Sequence, residues 1–503
     1  MAFHQDEAFI TFSWVGDSDG RVAMRTNDAL LNHLRLVFSV VDKKAVAIQR
    51  FSRLKHMSTR KYAISPTGRF RHGMMKSIVA EIKACVSNPI FSLDDKFRQQ
   101  FPKKMADALA LGSPKLKLTP RDYQAQGIEQ ALKQGCGVLL YPTGSGKTLI
   151  MAGIAKNILD SSINSTVFIV TLTHLVEQTR TTLIDYGFDP KTVSVWTGTN
   201  EFVPARVVIC GPQILVSAIK RPEKYSEPLD FLSKTEAFIV DEVHQVKREN
   251  KIVDFEKYVR THHRFGFTGT LPEEKQDEWN VIGMFGPVIS TVSREELVKN
   301  GSITDVVVCE VKMDYLEYPE YVRGGGQQAG MQNFRYEQNF LYTSDFRNGT
   351  IAKIALKTKK NCLVLVDRIE HGELLTDTMK AMDKDKEVFF IRGEVEGEVR
   401  EEIRKLMERK DNIVCVAISS IFSTGINISN LHYIVFANTC KAKVSVIQSI
   451  GRGVRTHDGK THVIVFDIHD NFRYGNKLFE ERRKLYQSQG FKMERREIEE
   501  PLA

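Results

Sequence analysis

The feature that most constrains this chain is a short run near residue 140. Residues 137–141 are apolar. Tyr141-Pro142-Thr143-Gly144-Ser145-Gly146-Lys147-Thr148 follows, just before a helix-length segment. A strand, a glycine-bearing loop and a helix in that order form a phosphate cradle. Gly144 and Gly146 let backbone N–H groups turn toward phosphate oxygens with no Cβ in the way. Lys147 would neutralise the β- and γ-phosphates, and the Thr148 hydroxyl would coordinate Mg2+. The pattern usually begins with Gly or Ala. Tyr141 in that place alters packing before the loop more than phosphate contact.

The surrounding pattern fits such a cradle. Apolar runs at 137–141, 166–171, 192–196, 207–210, 237–240 and 264–267 alternate with helix-length stretches. A second series follows at 362–366, 387–391, 413–417, 433–436 and 463–466. Strands this apolar imply parallel sheets covered on both faces, so the fold class is α/β with two consecutive domains. The run at 237–240 leads into Asp241-Glu242-Val243-His244, 93 residues after Thr148. That places two carboxylates at the carboxyl edge of a central strand, where open α/β sheets bind ligands. Asp241 suits Mg2+, Glu242 would orient or deprotonate an attacking water, and His244 could couple the site to the next motif.

Charge is unevenly placed. The chain carries +9 overall, but residues 1–118 hold 20 Lys+Arg against 10 Asp+Glu, so the remainder is close to neutral. Within 43–83 there are 11 Lys+Arg and one acid, Glu81. Arg50, Arg53, Arg60 and Lys61 lie here, interleaved with Phe51, Tyr62 and Phe70, a pattern suited to phosphate contact and base stacking. The alternative is a solvated basic face whose aromatics belong to a small core. A strand at 8–15, a helix over 28–41 and another over 74–86 make this region a small basic α+β domain. The expected divisions are a basic domain at 1–112 suited to a polyanion such as DNA, a first α/β domain at 113–300, a second at 301–470, and a charged helical tail at 471–503. A flexible loop is expected over 321–330. No apolar run is long enough to span a bilayer, and the N-terminus lacks the pattern of a secretory leader. Seven scattered cysteines without zinc spacing fit reduced thiols in a cytoplasmic protein.

From about residue 118 to 467 the motifs resemble those of superfamily 2 helicases. Pro120-Arg121-Asp122-Tyr123-Gln124 resembles the element in which Gln reads adenine. Thr173 to Gln178 resembles a DNA-backbone motif, without its common Pro-Thr pair. Gly211-Pro212-Gln213 resembles Thr-Pro-Gln with Gly in place of Thr, and Thr268-Gly269-Thr270 resembles the coupling motif. Ser423-Thr424-Gly425-Ile426-Asn427 resembles a motif that usually ends in Asp. Gln448-Ser449-Ile450-Gly451-Arg452-Gly453-Val454-Arg455 matches Q-x-x-G-R-x-x-R. The resemblance implies two tandem RecA-like domains, with ATP and Mg2+ as cofactors. It makes Gln448, Arg452 and Arg455 catalytic partners of Glu242, and places Gly425 at the nucleotide. It also implies that Thr173, Gln178, Pro212, Gln213, Ser423 and Thr424 face nucleic acid.

The basic N-terminal domain before a compact motor is similar to UvsW-type phage recombination helicases. That implies action on branched or forked DNA, in the host cytoplasm if phage-encoded, as a monomer, with replication or recombination proteins as possible partners. A duplex translocase that does not unwind, an RNA-directed remodeller and a nucleotide-gated binding module are the competing readings. An intact Glu242 with the Arg452/Arg455 pair argues against the last, because a switch that need not turn over requires neither.

Overall fold

Alternating burial shapes the N-terminal element of the computed structural model. Residues 3–15, 21–42, 45–46, 49, 58–95, 116–245, 257–261, 263–272, 274–322, 327–392, 397–419, 428–437, 450 and 460–500 are described. Gln5–Val15 (β1) turns Ala8, Ile10 and Phe12 inward and leaves Phe9 exposed, as a strand with one covered face should. Arg21–Arg25 (β2), Ser39–Val41 (β3), Arg60–Tyr62 (β4), Arg69–Arg71 (β5) and Val86–Leu93 (β6) follow. One mixed sheet runs β5-β2-β1-β6, and β3 pairs with β4 separately. The helices Asp28–Val37 and Met75–Cys85 cover the sheet with Leu30, Leu34, Ile78 and Ile82. Asn27 caps the first of them, its side chain accepting from Leu30 N at 2.9 Å. That helix ends at Val37, short of the expected 41, because residues 39–41 pair as β3 instead.

By its contacts the chain divides into two compact units, one of Met1–Pro142 with Gly146–Val292, the other of Ser293–Ala503 with Thr143–Ser145. The first also contains Gly137–Leu140 (β7), Val167–Val170 (β8), Val193–Trp196 (β9), Val207–Cys210 (β10), Ala237–Asp241 (β11), His263–Thr268 (β12) and Val288–Thr291 (β13). These form an all-parallel sheet in the order β13-β7-β12-β11-β8-β10-β9. β8 and β10 are apolar and buried along their length, and β11 up to its terminal Asp241, as helices on both faces require.

The second unit holds the other parallel sheet. Its strands are Asp305–Asp314 (β14), Cys362–Val366 (β15), Glu387–Ile391 (β16), Ile413–Ile418 (β17), Tyr433–Phe436 (β18), His462–Asp470 (β19) and Lys492–Glu499 (β20), in the order β16-β17-β15-β18-β19-β14-β20. The tandem parallel sheets and the small mixed sheet are the expected architecture.

Two local expectations are corrected here. Among its described residues the C-terminal segment is helical only over Arg473–Ser488; it turns at Gly490 (φ +66) and continues as β20, which pairs with β14. Buried contacts hold this helix to the sheet: Arg482 donates to Asp467 through Nε and Nη2, and the Tyr486 hydroxyl donates to the same carboxylate. Gln327–Thr343 is a helix, so residues 327–330, expected in a loop, are its first turn.

Candidate nucleotide site and nucleic-acid-facing motifs

The loop after β7 is rooted by the residue that breaks the usual pattern. Tyr141 is buried, its N–H donates to the Thr268 carbonyl at the end of β12 (2.8 Å), and its hydroxyl donates to the Tyr123 carbonyl (3.1 Å). The hydroxyl also lies 2.8 Å from Ser290 Oγ on β13. One ring thus fastens the Asp122–Gln134 helix and an edge strand around the base of the loop, which Gly or Ala could not do.

Gly146 stands at the start of the Lys147–Ser161 helix with φ +77 and ψ 38, a left-handed conformation. A Cβ there would lie 2.4 Å from Gln124 Nε2. Gln124 is itself buried, and its Oε1 accepts from the Arg121 N–H at 2.9 Å. The side chain is therefore fixed against the loop. Pro142, Thr143, Gly144 (φ +88) and Ser145 form the turn, and Thr148 is the second residue of the helix.

β11 delivers Asp241 to the carboxyl edge of the same sheet. Glu242 then takes φ +53, a left-handed geometry that costs an L-residue about 1–2 kcal/mol. Its N–H donates to Asp241 Oδ1 at 3.0 Å, and its carboxylate receives Lys147 Nζ at 3.0 Å. His244 Nδ1 lies 3.2 Å from the other carboxylate oxygen and 2.9 Å from Thr268 Oγ1. Because the Thr268 hydroxyl donates to the Thr270 carbonyl (2.8 Å), Nδ1 carries the proton and donates. His244 Nε2 is buried without a partner among the described residues.

The electrostatics separate the two carboxylates. Burial and the neighbouring Glu242 charge push Asp241 up to about 6. Burial would raise Glu242 as well, but Lys147 and His244 outweigh it and bring it down to about 2. Lys147 also lies above its ordinary value, since Glu242 and Asp241 overcome the cost of burying its charge. One firmly charged ammonium thus faces a firmly charged carboxylate, with a carboxyl of intermediate acidity beside them. A left-handed glycine turn, a helix N-terminus and a buried lysine suit a nucleotide's phosphates. Thr148 and Asp241 offer the hard oxygen ligands that Mg2+ takes.

Two further motifs meet at the ends of adjacent strands. Thr173, after β8, donates its hydroxyl to Gln213 Oε1, after β10. A Cβ on Gly211 would lie 2.2 Å from Thr173 Oγ1 and 3.0 Å from its Cα. Gly replaces the usual Thr because the two turns touch. Thr173, Gln213 and Gln178 are exposed, and Pro212 opens the Pro212–Lys220 helix.

The basic N-terminal stretch finds partners within its own domain, one of them acidic. Lys61 Nζ lies 3.2 Å from Asp42, just outside the stretch, and Arg60 Nη1 donates to Ser39 Oγ at 2.8 Å. Phe70 is buried in the small core, whereas Tyr62 is 41% exposed. Arg50, Arg53, Ser423, Thr424, Gly425, Gln448, Arg452 and Arg455 lie outside the described residues.

Residues 117–273 match the family described as "Type III restriction enzyme, res subunit", and residues 347–457 match "Helicase conserved C-terminal domain". The chain is 26% identical over 392 residues to "ATP-dependent DNA helicase uvsW" of Enterobacteria phage T4, covering 77% of this chain and 76% of that protein. It is 23% identical over 396 residues to "DNA 3'-5' translocase XPB2" of Sulfurisphaera tokodaii, covering 72% and 84%. Its fold is similar to a fragment of an HsdR subunit of a type I restriction enzyme from Vibrio vulnificus. The TM-score is 0.56 at 17% identity, over 82% of this chain and 75% of that one.

Proposed function

Because the chain belongs to the superfamily 2 helicases, we propose that it is an ATP-dependent DNA helicase or translocase that remodels branched or forked DNA. The observation that carries this reading is the connected chain Lys147–Glu242–His244–Thr268 at one sheet edge. It joins a phosphate-binding lysine to a candidate base and then to the motif that follows β12. The branched-DNA part rests on the similarity to the phage T4 DNA helicase.

In this reading Lys147 leaves Glu242 for the phosphates, which frees that carboxylate to orient and deprotonate a water. Asp241 and Thr148 would hold Mg2+, which when bound would supply positive charge to the phosphoryl oxygens. Gln124 recognises adenine, and Gln448, Arg452, Arg455 and Gly425 complete the site. His244 and Thr268 report the state of Glu242 to the sheet edge. Thr173, Gln178, Pro212, Gln213, Ser423 and Thr424 take the phosphate backbone, with Arg50, Arg53, Arg60 and Lys61 adding a second grip. A cytoplasmic setting fits the free cysteines, six of which lie among the described residues, five of them buried. No helix among the described residues is long and apolar enough to cross a membrane.

Steady-state ATPase with single strand, duplex, fork, four-way junction and RNA at one salt concentration tests the reading. Forks and junctions should stimulate most; stimulation by RNA alone would overturn it. The match of residues 117–273 to a restriction subunit favours one alternative, a motor that moves along duplex without parting it. Strand displacement from a fork, absent in that case, separates the two.

A further inference from the structure

Within the first unit, a cavity of about 430 Å3 opens where the small N-terminal domain meets the Lys275–Phe285 helix. We propose that it takes one unpaired nucleotide of a DNA single strand, an inference that rests on the DNA reading above. Arg21, Lys61, Arg69 and Arg71 line it, and among the described residues no carboxylate does. Of the three aromatic rings in the lining, Phe70 is buried in the small core, whereas Tyr62 from the N-terminal domain and Trp279 from the helix are not buried. Its volume falls within the ~300–1,000 Å3 of small-ligand pockets.

The cations are not equivalent. Lys61 is paired with Asp42, and Arg71 is held by Asn280, its Nη1 donating at 2.8 Å to the amide oxygen. That bond holds the guanidinium in the cavity wall, so it is preorganised there. Arg21 and Arg69 are exposed at the rim. The Arg35 guanidinium lies 4.7 Å from the Tyr62 ring centroid, which steadies that ring, and Trp279 packs at a tilt against Phe38 (6.3 Å). Fixed positive donors around two anchored rings are what a phosphate joined to a base requires. A duplex would bring phosphates to this place with its bases turned away, so the rings specify a single strand. Trp279 lies on the helix preceding β13, so the site links the N-terminal domain to the first parallel sheet.

The test uses the full chain, a fluorescent oligo-dT and a blunt duplex of equal length, with thermal unfolding as the control for folding. The Arg21→Ala/Arg69→Ala pair should weaken oligo-dT binding and lower its log–log salt slope by about 1.4, at ~0.7 per phosphate contact. Trp279→Phe should remove most of the tryptophan quenching by oligo-dT, and Trp279→Leu should weaken binding about tenfold or more through lost stacking. Equal losses on duplex and oligo-dT, or quenching that survives Trp279→Phe, would overturn the nucleotide pocket. If DNA still stimulates the wild-type ATPase in that case, the proposed motor function stands and only the pocket fails.

Discussion

Replacing Gly146 by Ala tests how the loop and Gln124 act together. Gly146 lies at φ +77, where an L-residue pays about 1–2 kcal/mol. The new Cβ would also stand 2.4 Å from Gln124 Nε2. That amide is the far end of a flexible side chain and can move, but moving it breaks the Oε1 bond to Arg121 N, worth about 0.5–1.5 kcal/mol. Together these weaken nucleotide binding by ~2–3 kcal/mol, or roughly 30- to 150-fold in Kd. Titration with a fluorescent ATP analogue reads the change. The decisive measurement is the double-mutant cycle. In a Gln124→Ala background the clash is gone and only the backbone cost remains, so Gly146→Ala should then cost ~0.5–1.5 kcal/mol less. Effects of the two substitutions that add within ~0.3 kcal/mol would refute the proposed contact between loop and glutamine.

Three other outcomes are expected. Glu242→Gln should keep Mg2+-ATP binding through Lys147, Thr148 and Asp241 while reducing turnover by at least ~100-fold, measured as equilibrium binding beside steady-state hydrolysis. Arg455→Ala should lose most DNA-stimulated turnover, by ~10³-fold or more if it acts as an arginine finger; near-normal hydrolysis would remove it from the site. His371, 2% exposed, is pushed down to about 3 by burial and then by the Arg347 and Arg368 guanidiniums. The unfolded chain therefore takes up a proton near 6.5 that the fold refuses. Stability from this group is intact above that pH and falls on acidification toward 3, by at most ~1.4 kcal/mol per pH unit. His371→Gln should flatten the dependence of the urea midpoint between pH 7 and 5, and an unchanged slope would assign the acid sensitivity elsewhere.

The strands that were legible in the sequence are those whose burial is uniform. β8, β10, β15 and β17 are apolar along their length, because helices cover both faces, and a run of that kind needs no partner to be recognised. β14 is hidden by its polar positions. Glu310 sits mid-strand, yet it is buried and meets His469 Nδ1 on the neighbouring β19 at 2.7 Å, across 159 residues of chain. β20 reads as a charged helix because nearly every residue is ionic. Its charges meet partners across the ladder instead: Lys492 with Asp305 at 3.2 Å, and Arg495 with Glu310 at 3.9 Å. β13 is a half-exposed edge of four residues, too short to show a period.

The candidate site divides along the same line between local and distant causes. Gly146, Lys147, Asp241 and Glu242 are recognisable because loop geometry and strand ends dictate residue type over a few positions. Two departures from the usual motifs become intelligible only through contacts far along the chain. Tyr141 reaches Ser290, and Gly211 leaves room for Thr173. In each case one turn departs from the common residue because a particular neighbour occupies the space beside it. Paired substitutions should expose this dependence. Gly211→Thr alone forces the two turns apart, whereas Gly211→Thr with Thr173→Gly removes the opposing hydroxyl and Cβ, although the 3.0 Å approach to the residue-173 Cα remains. The double variant should therefore recover part of the DNA-stimulated ATPase lost in the single one, read at saturating DNA. No recovery at all would mean that Gly211 answers to something other than its neighbour.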